Sequence, residues 1–166
     1  TPADEGRRAA ARDGWCLPPE APVVLSLARL APSKGAHLLI HSWPRVLDAV
    51  PDALLWLVGG GDGPHTERLT SMVGRLGLQS HVRLQGPVSH REVRECHAAA
   101  DLYVLASVQD EGHPLSVLEA MSSGVACVVA DSPVVRELHS DAVALVEDPN
   151  LQDAFVEPVT RLLLEP

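Results

Sequence analysis

Short apolar runs recur along the chain and alternate with longer segments whose apolar residues are spaced as in helices. The runs are rich in Val, Leu and Ala and are bounded by Gly, Pro or charged residues, which is typical of strands buried in a parallel sheet. They comprise residues 23–28, 54–59, 81–86, 102–106, 125–130 and 142–147. Helical spacing is found at 36–50, in a segment that ends near residue 76, at 91–100, from residue 114 onward, and at 150–164. This alternation predicts a doubly wound α/β domain, with a mainly parallel, Rossmann-like sheet and helices on both faces.

The helix that begins at Pro114 precedes the fifth predicted strand. Proline is favoured as a first helical residue. Leu115, Leu118 and Met121 recur at helical spacing and predict the apolar face of this helix, and Gly124 predicts its end.

Composition limits the domain organisation and the classes of function. A chain of 166 residues with 46% hydrophobic content is long enough for one well-packed domain and too short for two ordinary ones. We expect an N-terminal linker or helical segment over residues 1–22 and a single Rossmann-like domain over 23–166. The first segment begins without methionine, is charged and rich in alanine, and is expected to connect to a part of the protein upstream.

The charge argues against nucleic acid as a partner, since the formal net charge is −9 and no Lys/Arg cluster is present. No apolar run approaches the roughly 20 residues of a membrane span, and no signal peptide precedes the first strand. The three cysteines are odd in number and lack metal-type spacing, so reduced thiols and a cytoplasmic location are expected. No cluster of metal ligands is visible in the sequence, and no metal cofactor is expected.

Polar residues follow several of the predicted strands, where the carboxyl ends of parallel strands form one edge of the sheet. Arg29 and Lys34 follow the first strand, five residues apart and just before a glycine and a helix. Glu111 follows the fourth strand, and Glu119 lies on the helix after it. Ligands of doubly wound sheets bind at this edge. Two cations beside a helix start suit a diphosphate, and carboxylates accept hydrogen bonds from sugar hydroxyls, so a nucleotide-linked group is the expected ligand.

The glycine-rich turn Gly59–Pro64 does not indicate a dinucleotide site. It follows the second strand, and it lacks the G-x-G-x-x-G spacing with an acidic residue about 20 positions later. A turn chosen for backbone freedom and a turn chosen for the approach of a ligand explain these glycines equally well.

The same residues resemble a known family. The runs SLARLAPSKGAHLLIHSW, LVGGGDGP, HVRLQGPVSHREV and AADLYVLASVQDEGHPLSVLEAMSSGVACVVAD are similar, in order and spacing, to the C-terminal half of a family 4 retaining glycosyltransferase with the GT-B fold. The resemblance covers about Val23 to Pro149. It implies the nucleotide-sugar donor domain, one half of the GT-B fold, of a hexosyltransferase-like enzyme. In that family a separate N-terminal domain supplies the acceptor site, and the isolated donor half is expected to be inactive.

The resemblance also implies roles for individual residues. Arg29 and Lys34 become ligands of the diphosphate that stabilise the leaving nucleotide, and Glu111 contacts hydroxyls of the transferred sugar. Glu119 accepts hydrogen bonds from the ribose. These two cations supply the countercharge, so catalysis without a metal is expected, with Glu111, Arg29 and Lys34 as the catalytic residues.

Backbone contacts to the ligand are implied at two further places. The amides around Leu115 and Ser116 meet the phosphates at the helix N-terminus, in agreement with the affinity of helix starts for anions. The region of Val88 contacts the base, without indicating whether the nucleotide is UDP, GDP or ADP. The donor sugar and the acceptor are not identified by these residues.

Other interpretations stay open. Taken alone, Glu119 fits a solvated helical carboxylate, Glu111 a helix cap, and Arg29 and Lys34 ordinary surface cations. A stand-alone nucleotide or nucleotide-sugar binding or regulatory module would share the fold and lack transferase activity. A different doubly wound enzyme, such as a nucleotide-sugar epimerase or a phosphate-transfer protein, should show a G-x-G-x-x-G or phosphate-loop signature after its first strand, and neither is present.

Overall fold

A computed structural model of the protein describes residues 5–109, 114–139 and 142–165. The strands are β1 (Val23–Leu27), β2 (Leu54–Val58), β3 (Val82–Gly86), β4 (Leu102–Leu105), β5 (Ala126–Ala130) and β6 (Ala144–Val146). The helices are α1 (Glu5–Gly14), α2 (Ala36–Ala49), α3 (Gly63–Arg75), α4 (His90–Ala99), α5 (Leu115–Ser122), α6 (Pro133–His139) and α7 (Val156–Leu164). Each predicted strand is present, which confirms the predicted α/β alternation.

The six strands form one parallel sheet in the order β3-β2-β1-β4-β5-β6. The chain builds outward from β1 to β3, then returns to the other side of β1 with β4. The order therefore reverses between β1 and β4, which pair through Val24 with Leu102 and Leu25 with Tyr103. In sheets of this topology, ligands bind outside the carboxyl ends of the strands at such a switch point.

Alternate residues of each strand enter two separate cores, because successive side chains point to opposite faces of a sheet. On one face Val24, Leu55 and Val104 pack with residues of α2, α3 and α7. On the other face Leu25 and Trp56 pack with residues of α1, α4, α5 and α6. Burial on both faces explains why the strands read as continuous apolar runs, and it confirms the doubly wound, Rossmann-like architecture.

The segment before β1 contains α1 and packs against the rest of the fold. Ala11 and Leu17 are buried in the second core. The guanidinium of Arg12 is buried as well: its Nε donates to the carbonyl of Ala99 at 3.1 Å, and another nitrogen pairs with Asp101 at 2.5 Å. Asp101 also accepts a hydrogen bond from the amide of Val23 at 2.7 Å, so one carboxylate joins α1 to the start of β1. A boundary after residue 22 stays a prediction.

Three details of the helices differ from the predictions. The last helix begins at Val156 rather than at Asn150, because Asp148 caps a turn at the amide of Asn150 and Asp153 has a left-handed φ of 62°. Helix α6 was not predicted, although Ser132 accepts a hydrogen bond from the amide of Val135 at its start. Pro114 precedes α5 as its N-cap residue instead of being its first helical residue.

The predicted apolar face of α5 is wrong for Leu115 and Leu118, whereas its third member, Met121, is half-buried and packs against the second core. Leu115 is 67% exposed and Leu118 is 36% exposed, whereas Val117 and Ala120 are fully buried against the sheet. The smaller pair fits because α5 packs closely on β4 and β5. The predicted end of the helix is confirmed, since Gly124 has a φ of 76°, the left-handed conformation typical of a helix C-terminus.

Candidate functional site

The loop between β1 and α2 carries both predicted diphosphate ligands. Arg29 is exposed and Lys34 is half-buried. A 3-10 turn over Pro32–Lys34 ends in Gly35, whose φ of 70° is readily available only to glycine, and α2 starts at the next residue. The structure therefore places Arg29 and Lys34 in one loop at the switch point of the sheet.

This loop is held against the segment that follows β4. The carbonyl of Ser33 accepts hydrogen bonds from the amide of Val108 at 2.9 Å and from the hydroxyl of Ser107 at 3.1 Å. The Cα of Gly35 lies so close to Ala106 that a Cβ at position 35 would come within 2.7 Å of its carbonyl carbon and closer still to its oxygen. Backbone thus packs directly on backbone between the β1 and β4 loops.

The other side of the loop is held by the glycine-rich turn after β2. The amide of Leu30 donates to the carbonyl of Gly60 at 2.8 Å. Gly59 has a φ of 151°, and a Cβ there would lie 2.8 Å from the carbonyl carbon of Ala28. This close packing accounts for the glycine at position 59 without a ligand.

The loop after β3 lies beside the loop after β2, because β3 and β2 are neighbours in the sheet. The amide of Gly59 donates to the carbonyl of Gly86 at 2.8 Å, so the loops after β2 and β3 are also joined. Val88 is half-buried and packs against the second core, and Ser89 caps α4 together with Glu92. Hydrogen bonds from the hydroxyl and amide of Ser89 lower the pKa of the Glu92 carboxyl. Val88 therefore lies in a loop whose last residues are fixed by the cap at the start of α4.

Helix α5 follows β4 and begins at the same edge of the sheet. Leu115 is exposed and Ser116 is half-buried, and no side chain of the described residues caps this helix start. The amide of Val117 already donates to the carbonyl of Pro114 at 2.9 Å. The predicted phosphate contacts at Leu115 and Ser116 are thus located in the first turn of α5. Glu111, the predicted sugar contact, lies outside the described residues.

A groove of about 330 Å³ runs between α4 and α5, and Glu119 forms part of its wall. It extends from His90, the first residue of α4, past Arg94 to Ser123 at the end of α5. Arg7 of α1 also lines it. The lining thus brings together a carboxylate, two guanidinium groups, imidazoles and hydroxyls, so it can bind a ligand rich in hydrogen-bonding groups. The predicted ribose ligand Glu119 is half-buried in this groove rather than fully solvated.

His97 lies at the base of the same groove and was not singled out from the sequence. Its side chain is 1% exposed, and neither ring nitrogen has a hydrogen-bond partner among the described residues. Its ring is tilted against that of Tyr103, with centroids 5.5 Å apart. Burial lowers the pKa of His97 to about 4, so the imidazole is neutral at pH 7. The available sequence signal was a histidine next to Cys96 in the alanine-rich last turn of α4.

Within 5–109, 114–139 and 142–165, no three His, Cys, Asp or Glu side chains are grouped so that they would hold a metal ion. No helix in the same ranges combines the length and apolar character needed to cross a membrane.

Comparison with known proteins gives a family and a fold. The sequence profile of the family described as "Glycosyl transferases group 1" matches residues 8–166. The chain is 34% identical, over 170 residues, to a GDP-mannose-dependent alpha-(1-6)-phosphatidylinositol monomannoside mannosyltransferase of Mycolicibacterium smegmatis, covering 98% of the chain and 44% of that protein. It is also 34% identical, over 137 residues, to the mannosylfructose-phosphate synthase of Agrobacterium fabrum, covering 78% of the chain and 30% of that protein.

Among solved structures, Alr3699/HepE of Anabaena, in complex with UDP and glucose, superposes with a TM-score of 0.84 at 24% identity. The match covers 98% of the chain and 43% of that protein, and it shows that the fold is the one found in glycosyltransferases of the GT-B class. The chain spans less than half the length of the curated relatives that it matches.

Proposed function

The chain belongs to the glycosyl transferases group 1 family, and from that premise we propose that it binds the nucleoside-diphosphate sugar donor of a retaining glycosyltransferase. The observation that carries this proposal is the loop containing Arg29 and Lys34. It lies at the switch point of the sheet and is held on both sides by the loops after β2 and β4. Two cations on a fixed loop at that position suit a diphosphate.

The rest of the donor extends from the diphosphate in two directions. Amides in the first turn of α5, at Leu115 and Ser116, meet phosphate oxygens, because a helix start combines free N–H groups with a favourable dipole. The nucleoside lies toward the groove between α4 and α5, where Glu119 accepts hydrogen bonds from the ribose hydroxyls. The base lies beside the loop of Val88.

The proposed reaction breaks the bond between the anomeric carbon of the sugar and the diphosphate oxygen, and the diphosphate leaves with the electron pair. Arg29 and Lys34 stabilise the charge that develops on this leaving group. Glu111 contacts hydroxyls of the transferred sugar. The acceptor hydroxyl then bonds to the anomeric carbon and its proton passes to the departing diphosphate, with retention of configuration. These cations provide the countercharge that a metal would otherwise supply, so we propose a metal-independent, hexosyltransferase-like enzyme.

The acceptor site belongs, in this proposal, to a separate N-terminal domain of the same protein, without which the chain transfers no sugar. Support comes from the relatives, of which the chain covers less than half. From the sequence pattern we also propose a segment over 1–22 and a donor domain over 23–166. A cytoplasmic location is proposed from the three free cysteines. A stand-alone binding or regulatory module is the alternative, and transferase activity of a longer protein containing this chain would exclude it.

Mannose is the first donor sugar to test, since two relatives are named as a mannosyltransferase and as a mannosylfructose-phosphate synthase. Calorimetric titration of the 166-residue chain with GDP, UDP, ADP and GDP-mannose should give saturable binding of at least one nucleoside diphosphate. Removal of a charged hydrogen-bond donor costs about 1.5–3 kcal/mol, so Lys34→Ala should weaken that binding about 10- to 100-fold.

The matched control is Arg75→Ala, which removes one positive charge from an exposed position at the end of α3. It should leave the affinity unchanged within about twofold, because screening suppresses long-range effects of exposed charges at physiological salt. Equal losses in the two variants would mean that the nucleotide responds only to net charge, and the assignment of Lys34 would fail.

A further inference from the structure

The hydroxyl of Ser107 forms a hydrogen bond with Ser33, the residue that precedes Lys34. The side chain of Ser107 is buried just after β4, on the segment that leads toward α5. Its hydroxyl donates to the carbonyl of Ser33, 74 residues away in sequence, at 3.1 Å, and shares its hydrogen with the carbonyl of Gln109 at 3.3 Å. The contact therefore links the loop after β1 to the segment after β4 across the switch point of the sheet.

The Ser33–Lys34 peptide unit is held at both of its polar ends. Its carbonyl accepts from Ser107 and from the amide of Val108, and its N–H donates to the carbonyl of Ala31 at 2.9 Å. A peptide unit is planar, so fixing its oxygen and its N–H fixes the Cα of Lys34 as well. The orientation of the whole Lys34 side chain starts from this Cα.

We infer that Ser107 is a positioning residue for the donor diphosphate, which it does not touch, and that it acts by holding the Ser33–Lys34 peptide unit so that the Lys34 ammonium meets the phosphates. This inference rests on the proposed function. It adds a residue to the site and predicts a selective effect: loss of the hydroxyl weakens recognition of the diphosphate and leaves recognition of the nucleoside unchanged.

The expected loss of affinity depends on the hydrogen bonds that remain in Ser107→Ala. In Ser107→Ala the amide of Val108 still donates to the Ser33 carbonyl at 2.9 Å, so this carbonyl keeps a hydrogen-bond partner. Loss of one neutral hydrogen bond then corresponds to about 3- to 10-fold weaker binding of a nucleoside diphosphate. Ser107→Thr keeps the hydroxyl and should restore most of the affinity.

The experiment compares the wild-type chain with Ser107→Ala, Ser107→Thr, Lys34→Ala and the Ser107/Lys34 double alanine variant. Dissociation constants are measured for guanosine and GDP, or for uridine and UDP if the wild type prefers UDP. Ser132→Ala is the control, since it removes another buried serine hydroxyl, one bonded to the amide of Val135 at 3.3 Å beyond β5. It should leave both affinities unchanged.

We expect Ser107→Ala to weaken binding of the nucleoside diphosphate but not of the nucleoside. The substitution should have no further effect once Lys34 is alanine, because the effects of residues that act through one another are not additive. Equal weakening of nucleoside and diphosphate, or a full additional loss in the double variant, overturns it. Wild-type affinity for the diphosphate in Ser107→Ala overturns this inference and leaves the proposed function intact. Failure of the wild-type chain to bind any nucleoside diphosphate overturns both.

Discussion

Gly35 is a position where the architecture of the site is sensitive to a single added methyl group. A Cβ at this residue would lie 2.7 Å from the carbonyl carbon of Ala106 and 2.9 Å from its Cβ, with the carbonyl oxygen nearer than either. The backbone φ of 70° also disfavours any residue with a side chain. Gly35→Ala therefore forces either the loop of Lys34 or the end of β4 to move.

The cost can be worked out from these two effects. A non-glycine residue in the left-handed region costs about 1–2 kcal/mol. Displacing packed backbone to make room for an inserted methyl group costs about 1–3 kcal/mol. We therefore expect Gly35→Ala to lower the free energy of unfolding by roughly 2–5 kcal/mol, and the melting temperature by about 5–15 °C for a domain of this size.

Urea unfolding followed by circular dichroism measures this difference, with Gly74→Ala as the matched control. Gly74 lies in the last turn of α3, and a Cβ there would meet nothing within 4 Å. Replacing this glycine by alanine should raise stability by about 0.5–1 kcal/mol, because alanine loses less backbone entropy in a helix. A Gly35→Ala variant as stable as the wild type would refute the direct packing of the β1 and β4 loops.

Two further predictions concern buried titratable groups. The imidazole of His97 has a pKa of about 4 when folded against 6.5 when unfolded, so its contribution is complete above pH 6.5 and is lost as the pH falls toward 4. Acidification from pH 7 to 4.5 should therefore lower the unfolding free energy of the wild type by about 2.5 kcal/mol more than that of His97→Phe, as measured by urea titration at both pH values. Equal losses would contradict the burial of a neutral ring. Burial raises the pKa of Cys96 and Cys127 to about 12, whereas Cys16 is exposed. A thiol reagent at pH 8 should therefore modify one cysteine per native chain and three in denaturant, and rapid labelling of more than one native thiol would disagree with the structure.

Much of the fold could be predicted because both faces of the sheet are covered. Strands buried on two sides read as uninterrupted apolar runs, and the segments between them carry helical spacing, so element order and sheet type follow from local pattern. The ends of elements depend on less visible chemistry. Asp153 adopts a left-handed conformation that delays α7, and no local pattern distinguishes it from a helical aspartate.

The faces of short helices and the contacts between loops were harder to predict. Helix α5 has two sets of apolar residues, and the fold buries Val117 and Ala120 against the sheet while Leu115 and Leu118 stay exposed. The bond between Ser107 and Ser33 joins residues 74 positions apart, and periodicity contains no information about such pairs. Arg29, Lys34 and Val88 could be proposed as ligands because each lies in a loop that follows a strand. The contacts that hold these loops required the structure.

The central claim, that the loop of Arg29 and Lys34 binds the diphosphate of a sugar nucleotide, has a direct test because Lys34 is the sole lysine of the sequence. Reductive methylation with ¹³C-formaldehyde places one labelled dimethylammonium on this side chain, and its NMR signal differs from that of the labelled chain terminus. Titration with GDP or UDP should shift the Lys34 signal saturably, and the matching nucleoside should shift it far less. Saturable binding of a nucleoside diphosphate that leaves the Lys34 signal unmoved would contradict the account.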